Sequence, residues 1–286
     1  MPIKEKTLGF LKYIENENGV FGYLPGKEAD MESVRFAIDV LILLNQNIVQ
    51  MNNVVSWIES CQSSKGGFAN IPGNIPDLAS TYYAFRSLFN IKKKLKDKKI
   101  HREWILSYQR EDGGFVYPNN QSYSDIDSTF YAIRALKIID TIPSNHQKCT
   151  YYIKELQSED GGFRSFKDGA VNMEATYCSI FALKKLGSDD FSKVKCLNWI
   201  RSCQSGVGGF GISPREKTKV SSTYWAIHAL KILNSDISNL KGCIDWIKKC
   251  QDVNGGFKMN GETSENANIW YTYCAIHSLK LLNEIK

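Results

Sequence analysis

Cys203-Gln204-Ser205-Gly206-Val207-Gly208-Gly209-Phe210 (CQSGVGGF) is one member of a set. The same pattern stands at Cys61–Phe68 (CQSSKGGF), Tyr108–Phe115 (YQREDGGF), Leu156–Phe163 (LQSEDGGF) and Cys250–Phe257 (CQDVNGGF), with a degenerate copy at Ile14–Phe21 (IENENGVF). The phenylalanines Phe21, Phe68, Phe115, Phe163, Phe210 and Phe257 follow one another at steps of 47, 47, 48, 47 and 47 residues. So small a drift across the whole chain marks an internal repeat, which sets the architecture before any local reading.

Each unit reads the same way outward from this turn. Before the Gln lies an amphipathic stretch such as VVSWIESCQ or CIDWIKKCQ, with apolar residues at helical spacing. Gly-Gly stops that helix and permits positive φ. The Phe anchors the turn in the core, and a polar loop follows. A second helix then begins: STYYAFRSL, STFYAIRAL, ATYCSIFAL, STYWAIHAL, YTYCAIHSL. Asp, Asn or Ser near its start suits a helix N-cap. The reading predicts twelve helices in six pairs, no strands, and one domain over 1–286 with units near 1–46, 47–93, 94–141, 142–188, 189–235 and 236–286. Six units without a polar capping repeat favour a closed ring over an open solenoid. The Ala-, Cys- and aromatic-rich second helices form the inner layer, and the Lys-, Glu- and Asn-richer first helices the outer one.

Composition agrees with a globular chain. Of 286 residues, 43% are hydrophobic and 23% charged, which excludes disorder, collagen and a membrane-spanning bundle. The net charge of +6 is only mildly basic, and no phosphate loop, nucleophile elbow or nucleic-acid motif is present. The eight cysteines form no C-x-x-C pair and fall in apolar helical patterns, as buried thiols of a reducing compartment do. MPIKEKTLGF lacks the apolar stretch of a secretory signal, so the expectation is a cytoplasmic protein.

At the Q-x-x-x-G-G-F turns and the T-Y-x-A-[IF]-x-[AS]-L helices the chain resembles the terpene cyclase and protein prenyltransferase β-subunit superfamily, including the repeats of squalene cyclases. The resemblance covers nearly all of the chain and implies an all-α, α6/α6 toroid whose central cavity holds an isoprenoid. Protein prenyltransferases bind Zn²⁺ through an Asp-x-Cys pair in the fifth repeat and a His in the sixth. Those positions fall on Lys219, Ser221 and Tyr271 here. A lysine cannot replace a carboxylate at a cation, so no zinc and no resident cofactor is expected. Mg²⁺ would enter only with a diphosphate.

The repeats separate two faces of the inner helix. Counting from Val34, Thr81, Thr129, Thr176, Thr223 and Thr272, positions +4 and +7 are aliphatic or aromatic in every unit, as core packing requires. Positions −2, +1 and +5 share another face. They read Glu32/Arg35/Asp39, Ala79/Tyr82/Arg86, Asp127/Phe130/Arg134, Glu174/Tyr177/Phe181, Ser221/Tyr224/His228 and Trp270/Tyr273/His277. This stripe is read as the cavity lining. Acids form one rim, and aromatics suit a polyisoprene and its carbocations. Arg35, Arg86 and Arg134, with His228 and His277, suit a diphosphate. The expected substrate contacts are these five with Tyr82, Phe130, Tyr177, Tyr224, Trp270 and Tyr273. The plainer readings are helix capping by Asp30, Asp77 and Asp125, aromatic packing, and pairing of the arginines with Glu32 or Glu174.

Asp125-Ile126-Asp127-Ser128-Thr129 looks like the D-x-D-D-T of class II terpene cyclases, which open their reaction by protonating an alkene or epoxide. The resemblance makes Asp127 the general acid and Asp125 the neighbour that shapes its protonation, with Ser128, where the family has a third Asp, hydrogen-bonding Asp127. Family cyclases add a second helical domain, which 286 residues do not hold. Either the ring closes its own cavity or a helical partner subunit caps it. The run Lys92-Lys93-Lys94-Leu95-Lys96-Asp97-Lys98-Lys99 reads as a solvated linker, or more sharply as a peripheral membrane contact. Three functions follow: a cyclase-like enzyme on an isoprenoid or prenyl diphosphate, a zinc-free prenyltransferase β-like subunit, and a non-catalytic lipid-binding toroid.

Overall fold

The signature threonine explains why the turn and the second helix repeat together. Thr81, Thr129, Thr176, Thr223 and Thr272 each accept, through Oγ1, a hydrogen bond of 2.9–3.0 Å from the backbone N–H of Phe68, Phe115, Phe163, Phe210 and Phe257. Those phenylalanines are fully buried. The turn's backbone donor, forced inward with its ring, therefore finds its acceptor on the helix that follows.

The computed structural model describes residues 2–48, 50–118, 122–262 and 264–285. Among these, twelve helices alternate between layers. The outer ones are α1 (Ile3–Ile14), α3 (Met51–Ser60), α5 (Lys98–Leu106), α7 (His146–Glu155), α9 (Lys193–Ser202) and α11 (Leu240–Lys249). The inner ones are α2 (Met31–Leu43), α4 (Leu78–Asn90), α6 (Ile126–Ile138), α8 (Met173–Lys185), α10 (Val220–Ile232) and α12 (Ile269–Leu281). Extended pairing among the described residues is limited to isolated bridges around the turns, such as Gln157 with Phe163.

Each inner helix packs on the next, and α12 packs on α2, so the ring closes. The closing contacts copy those between neighbours elsewhere. The Ile269 N–H donates to Tyr23 O as Met173 N–H donates to Ile212 O and Val220 N–H to Met259 O. The Gln251 side chain donates to Gly255 O, and it also reaches Ile3 O and Thr7 Oγ1 of α1. Gln157 and Gln204 likewise bond their own turns and the start of the next outer helix.

The second glycine-rich constraint is steric. A Cβ on Gly161 (φ 103°) would stand 2.3 Å from the carbonyl carbon of Lys195, and one on Gly208 (φ 102°) 2.2 Å from Cys243 N. These turns lie against the backbone of the next outer helix, and only glycine permits both the approach and the conformation. Asp30, Asp77, Asp125, Asn172 and Asn268 cap the inner helices through their side chains, whereas Lys219 at the start of α10 supplies no such acceptor.

Candidate functional site: two ends of a filled ring

The inner helices present positions −2 at one end of the ring and +5 at the other, about 10 Å apart at 1.5 Å per residue. Between them the axis is filled. Tyr82, Phe130, Tyr177, Tyr224 and Tyr273 are all buried, and the Tyr224 and Tyr273 hydroxyls meet at 3.2 Å. Arg35 is buried among them. Its guanidinium lies 4.3 Å from the Tyr273 ring centroid and 4.7 Å from that of Phe36. Arg134 lies 4.2 Å from the Tyr82 centroid, 4.8 Å from Phe130 and 5.0 Å from Phe181. Cations desolvated against aromatic faces are held by the ring quadrupoles.

The arginines do not pair with Glu32 or Glu174 as the sequence suggested. Arg35 Nη2 bonds Asp39 Oδ2 at 2.8 Å and the Tyr273 hydroxyl at 2.8 Å. Arg86 Nε stands 3.9 Å from Asp39 Oδ1, and Asn90 donates to the same oxygen. Asp39, one helical turn after Arg35, is the nearer acid, and the two rim glutamates lie at the far end of the ring.

At the +5 end a cavity of about 190 Å³ opens. Arg35, Asp39, Arg86, Asn90, Arg134 and His228 line it with Tyr177, Phe181, Tyr224, Tyr273 and His277. The rings of His228 and His277 are parallel within 2°, with Nε2 and Nδ1 2.8 Å apart. Burial first lowers both: His228, repelled also by His277 and Arg134, well below the usual imidazole range, and His277, repelled also by Arg35, Arg134 and Arg86, to about 4. Tyr82 and Phe130 do not line this cavity but hold Arg134 on their faces, and Trp270 stands at the other end against Phe36 (4.8 Å) and Tyr224 (6.0 Å).

At the −2 end stand Glu32, Asp127 and Glu174, all half-buried. Glu32 accepts from the Tyr83 hydroxyl at 3.2 Å, and Tyr83 and Tyr131 share a hydroxyl bond of 2.7 Å. Burial first, then neighbouring carboxylates, raises Asp127 and Glu174 above the usual carboxylate range: Asp125 repels Asp127, which is pushed up to about 6, and Asp127 and Glu32 repel Glu174, which is pushed up to about 8. The Cys178 thiol, hydrogen-bonding the Asp127 carboxyl, acts in the opposite direction. Asp125 itself is the N-cap of α6, accepting from Ser128 N at 2.7 Å and Ser128 Oγ at 2.8 Å. The expected bond from Ser128 to Asp127 is therefore not made, because the hydroxyl completes the cap instead. Tyr83, Tyr131 and Cys178 belong to this rim although the stripe omitted them. They occupy position +2, which reads Phe36, Tyr83, Tyr131, Cys178, Trp225 and Cys274, and its two adjacent tyrosines were the available signal.

The three positions where a zinc prenyltransferase has its ligands carry Lys219, Ser221 and Tyr271, a donor set unsuited to Zn²⁺. Among the described residues no three His, Cys, Asp or Glu side chains converge as a metal site. No helix is long and apolar enough to cross a membrane.

The chain belongs to the prenyltransferase alpha-alpha toroid domain family, whose pattern matches residues 3–102, 79–234 and 215–286. Among solved structures it is similar to the Candida albicans protein geranylgeranyltransferase-I complexed with GGPP, at 20% identity and a TM-score of 0.74, covering 88% of this chain and 84% of that one. It is also similar to the type II terpene cyclase MstE from Scytonema, at 13% identity and a TM-score of 0.73, covering 97% and 96%. A third likeness is to ent-copalyl diphosphate synthase from Streptomyces platensis, at 15% identity and a TM-score of 0.60, covering 86% of this chain and 49% of that one. At such identities these likenesses show the toroid fold. No curated protein matches the sequence.

Proposed function

We propose that the protein is an isoprenoid-processing enzyme of the type II terpene cyclase kind, with Asp127 donating the proton that starts the reaction. One observation carries this reading. The Asp127 carboxyl, at the start of an inner helix, is desolvated and repelled by Asp125, so it holds its proton more tightly than an ordinary aspartate. A carboxyl that keeps its proton up to about pH 6, on the helix that also carries Phe130 and Tyr131, brings together what alkene protonation needs: a proton to give, and π faces for the cation that results. The likeness to MstE, solved in complex with geranylgeranyl dihydroxybenzoate, supports the same reading, and that protein spans a similar length of chain. On this reading the hydrocarbon enters between the tyrosines that fill the axis, and Asp125 and Ser128 hold the α6 terminus on which Asp127 stands.

A second reading draws on the likeness to geranylgeranyltransferase-I: a β-subunit-like protein that works with a helical partner and without zinc. The test serves both. The full chain is incubated with C10 to C30 isoprenoids and their diphosphates, and products are identified by mass spectrometry. Cyclised product from wild type and none from Asp127→Asn is the expected result. Turnover unchanged in Asp127→Asn sinks the first reading, and prenyl transfer that appears only with a co-purifying subunit favours the second.

A further inference from the structure

The cavity at the +5 end carries more cation than anion. Arg35, Arg86 and Arg134 face it, and Asp39 is its single carboxylate. Arg35 is already committed to Asp39 and Tyr273. Arg134 touches aromatic faces and makes no hydrogen bond to a protein acceptor among the described residues. The Nε atoms of Arg35 and Arg86 are buried without a hydrogen-bond partner, as is the Tyr82 hydroxyl. Buried donors of this strength are ordinarily satisfied, so the set is short of an acceptor-rich group.

The surroundings sharpen the sign. Inner-helix C-termini point toward this face and bring partial negative charge. Lys137, Lys184, Lys231 and Lys280 in the last turns answer it at the surface. The three arginines lie deeper, where that task is already met. A volume of about 190 Å³ holds about six waters at their liquid volume. That is the scale of a phosphate or diphosphate, and too small for a full polyisoprene chain.

We propose that this cavity is a binding site for a phosphate-class anion, inorganic phosphate, diphosphate or the diphosphate head of a larger molecule, held by charge-assisted bonds from Arg86 and Arg134 over the Arg35–Asp39 pair. The surface lysines raise the anion's concentration at the mouth. The site rests on the enzymatic reading only where the anion is the head of an isoprenoid; it lies at the end of the ring opposite Asp127. His228 and His277 report its occupancy. His277 is faced by Arg35, Arg86, Arg134 and Asp39, and touches His228, Tyr224 and Tyr273. An anion cancels part of the arginine field and lets the pair take up a proton.

The test is calorimetric titration of the full chain with inorganic phosphate, inorganic diphosphate, geranylgeranyl diphosphate, and vesicles of phosphatidylcholine and phosphatidylserine. Titrations run near pH 6 in two buffers of different ionisation enthalpy, so that proton uptake is read directly. The expected result is stoichiometric diphosphate binding with proton uptake, weakened at least tenfold in Arg86→Gln and in Arg134→Gln. Arg86 is part-exposed at the mouth, so its variant retains the fold if Arg134→Gln does not, and thermal unfolding of both checks this. Tighter binding of geranylgeranyl diphosphate through the same arginines assigns the site to a substrate head; equal affinity assigns it to the free anion. Binding unchanged in Arg86→Gln, vesicle binding without binding of either inorganic anion, or no binding at all overturns the proposal. Anion binding kept by Asp127→Asn while its turnover is lost shows that both proposals hold. Binding lost in wild type alongside normal turnover overturns this one alone.

Discussion

His277 Nδ1 and His228 Nε2 stand 2.8 Å apart in parallel rings, on helices that neighbour each other in the ring and 49 positions apart in sequence. One nitrogen donates and the other accepts, so the bond fixes a single proton between two neutral imidazoles. A further proton on the donor ring's far nitrogen leaves that bond in place but puts a cation beside Arg35, Arg86 and Arg134.

The His277 imidazole is therefore expected to titrate near 4 in the folded protein, against 6.5 when unfolded. A histidine whose folded pKa is depressed contributes stability above the unfolded value and loses it as pH falls toward the folded one. The wild type should lose stability relative to His277→Asn between about pH 6.5 and 4, by up to ~3 kcal/mol. Denaturant unfolding across that range, with NMR titration of the ring, checks it; a ring titrating at 6.5 refutes it.

The acidic rim predicts the opposite slope. Asp127 and Glu174 have raised folded pKa values, so their contribution is fully present at low pH and is lost as pH rises through those values. Asp127→Asn removes one partner of the repulsion. It should flatten the fall in stability between about pH 4 and 9, and at the alkaline end exceed wild type by about 1 kcal/mol after solvent screening. Parallel pH-stability curves for the two proteins would contradict the coupling.

Thr176→Val keeps the shape of the side chain and removes the acceptor of Phe163 N–H. The orphaned donor is fully enclosed, so the expected cost is about 1–3 kcal/mol. Urea unfolding measures it. An effect under a few tenths would mean that the Thr–Phe bond does not explain the repeat.

Gly208→Ala is expected to destabilise the fold severely, by about 3 kcal/mol or more. Its Cβ would meet the backbone of α11 at 2.2 Å in a positive-φ conformation. Gly206→Ala, two residues earlier in the same turn, meets nothing within 4 Å and should be near neutral. Thermal shifts of the two variants, compared side by side, check the assignment.

The repeat made the two layers, the turn glycines, the Phe anchors and the acid caps legible, because each follows from spacing and local chemistry within one unit. The contents of the axis were not. Whether Tyr82, Tyr224 and Tyr273 line an open hole or fill it depends on the radius of the closed ring, which no single unit encodes. The His228–His277 bond needs the relative height of two adjacent helices. Arg35–Asp39 is legible, being an i,i+4 pair on one helix. The capture of Ser128 by Asp125 was also local. Its signal was the Asp-x-x-Ser shared with Asp30–Ser33 and Asp77–Ser80, where the same cap forms.

The bond from Ile269 to Tyr23, with the reach of Gln251 to α1, gives every unit two neighbours. In an open array of repeats the end units fray first, and stability accumulates unit by unit. A ring has no end unit at which unfolding can begin at the cost of one interface; opening it anywhere breaks two. Local damage, such as an orphaned turn donor in the fourth unit, is thus expected to appear as one sharp transition of the whole circle, with no stretch of surviving units on either side.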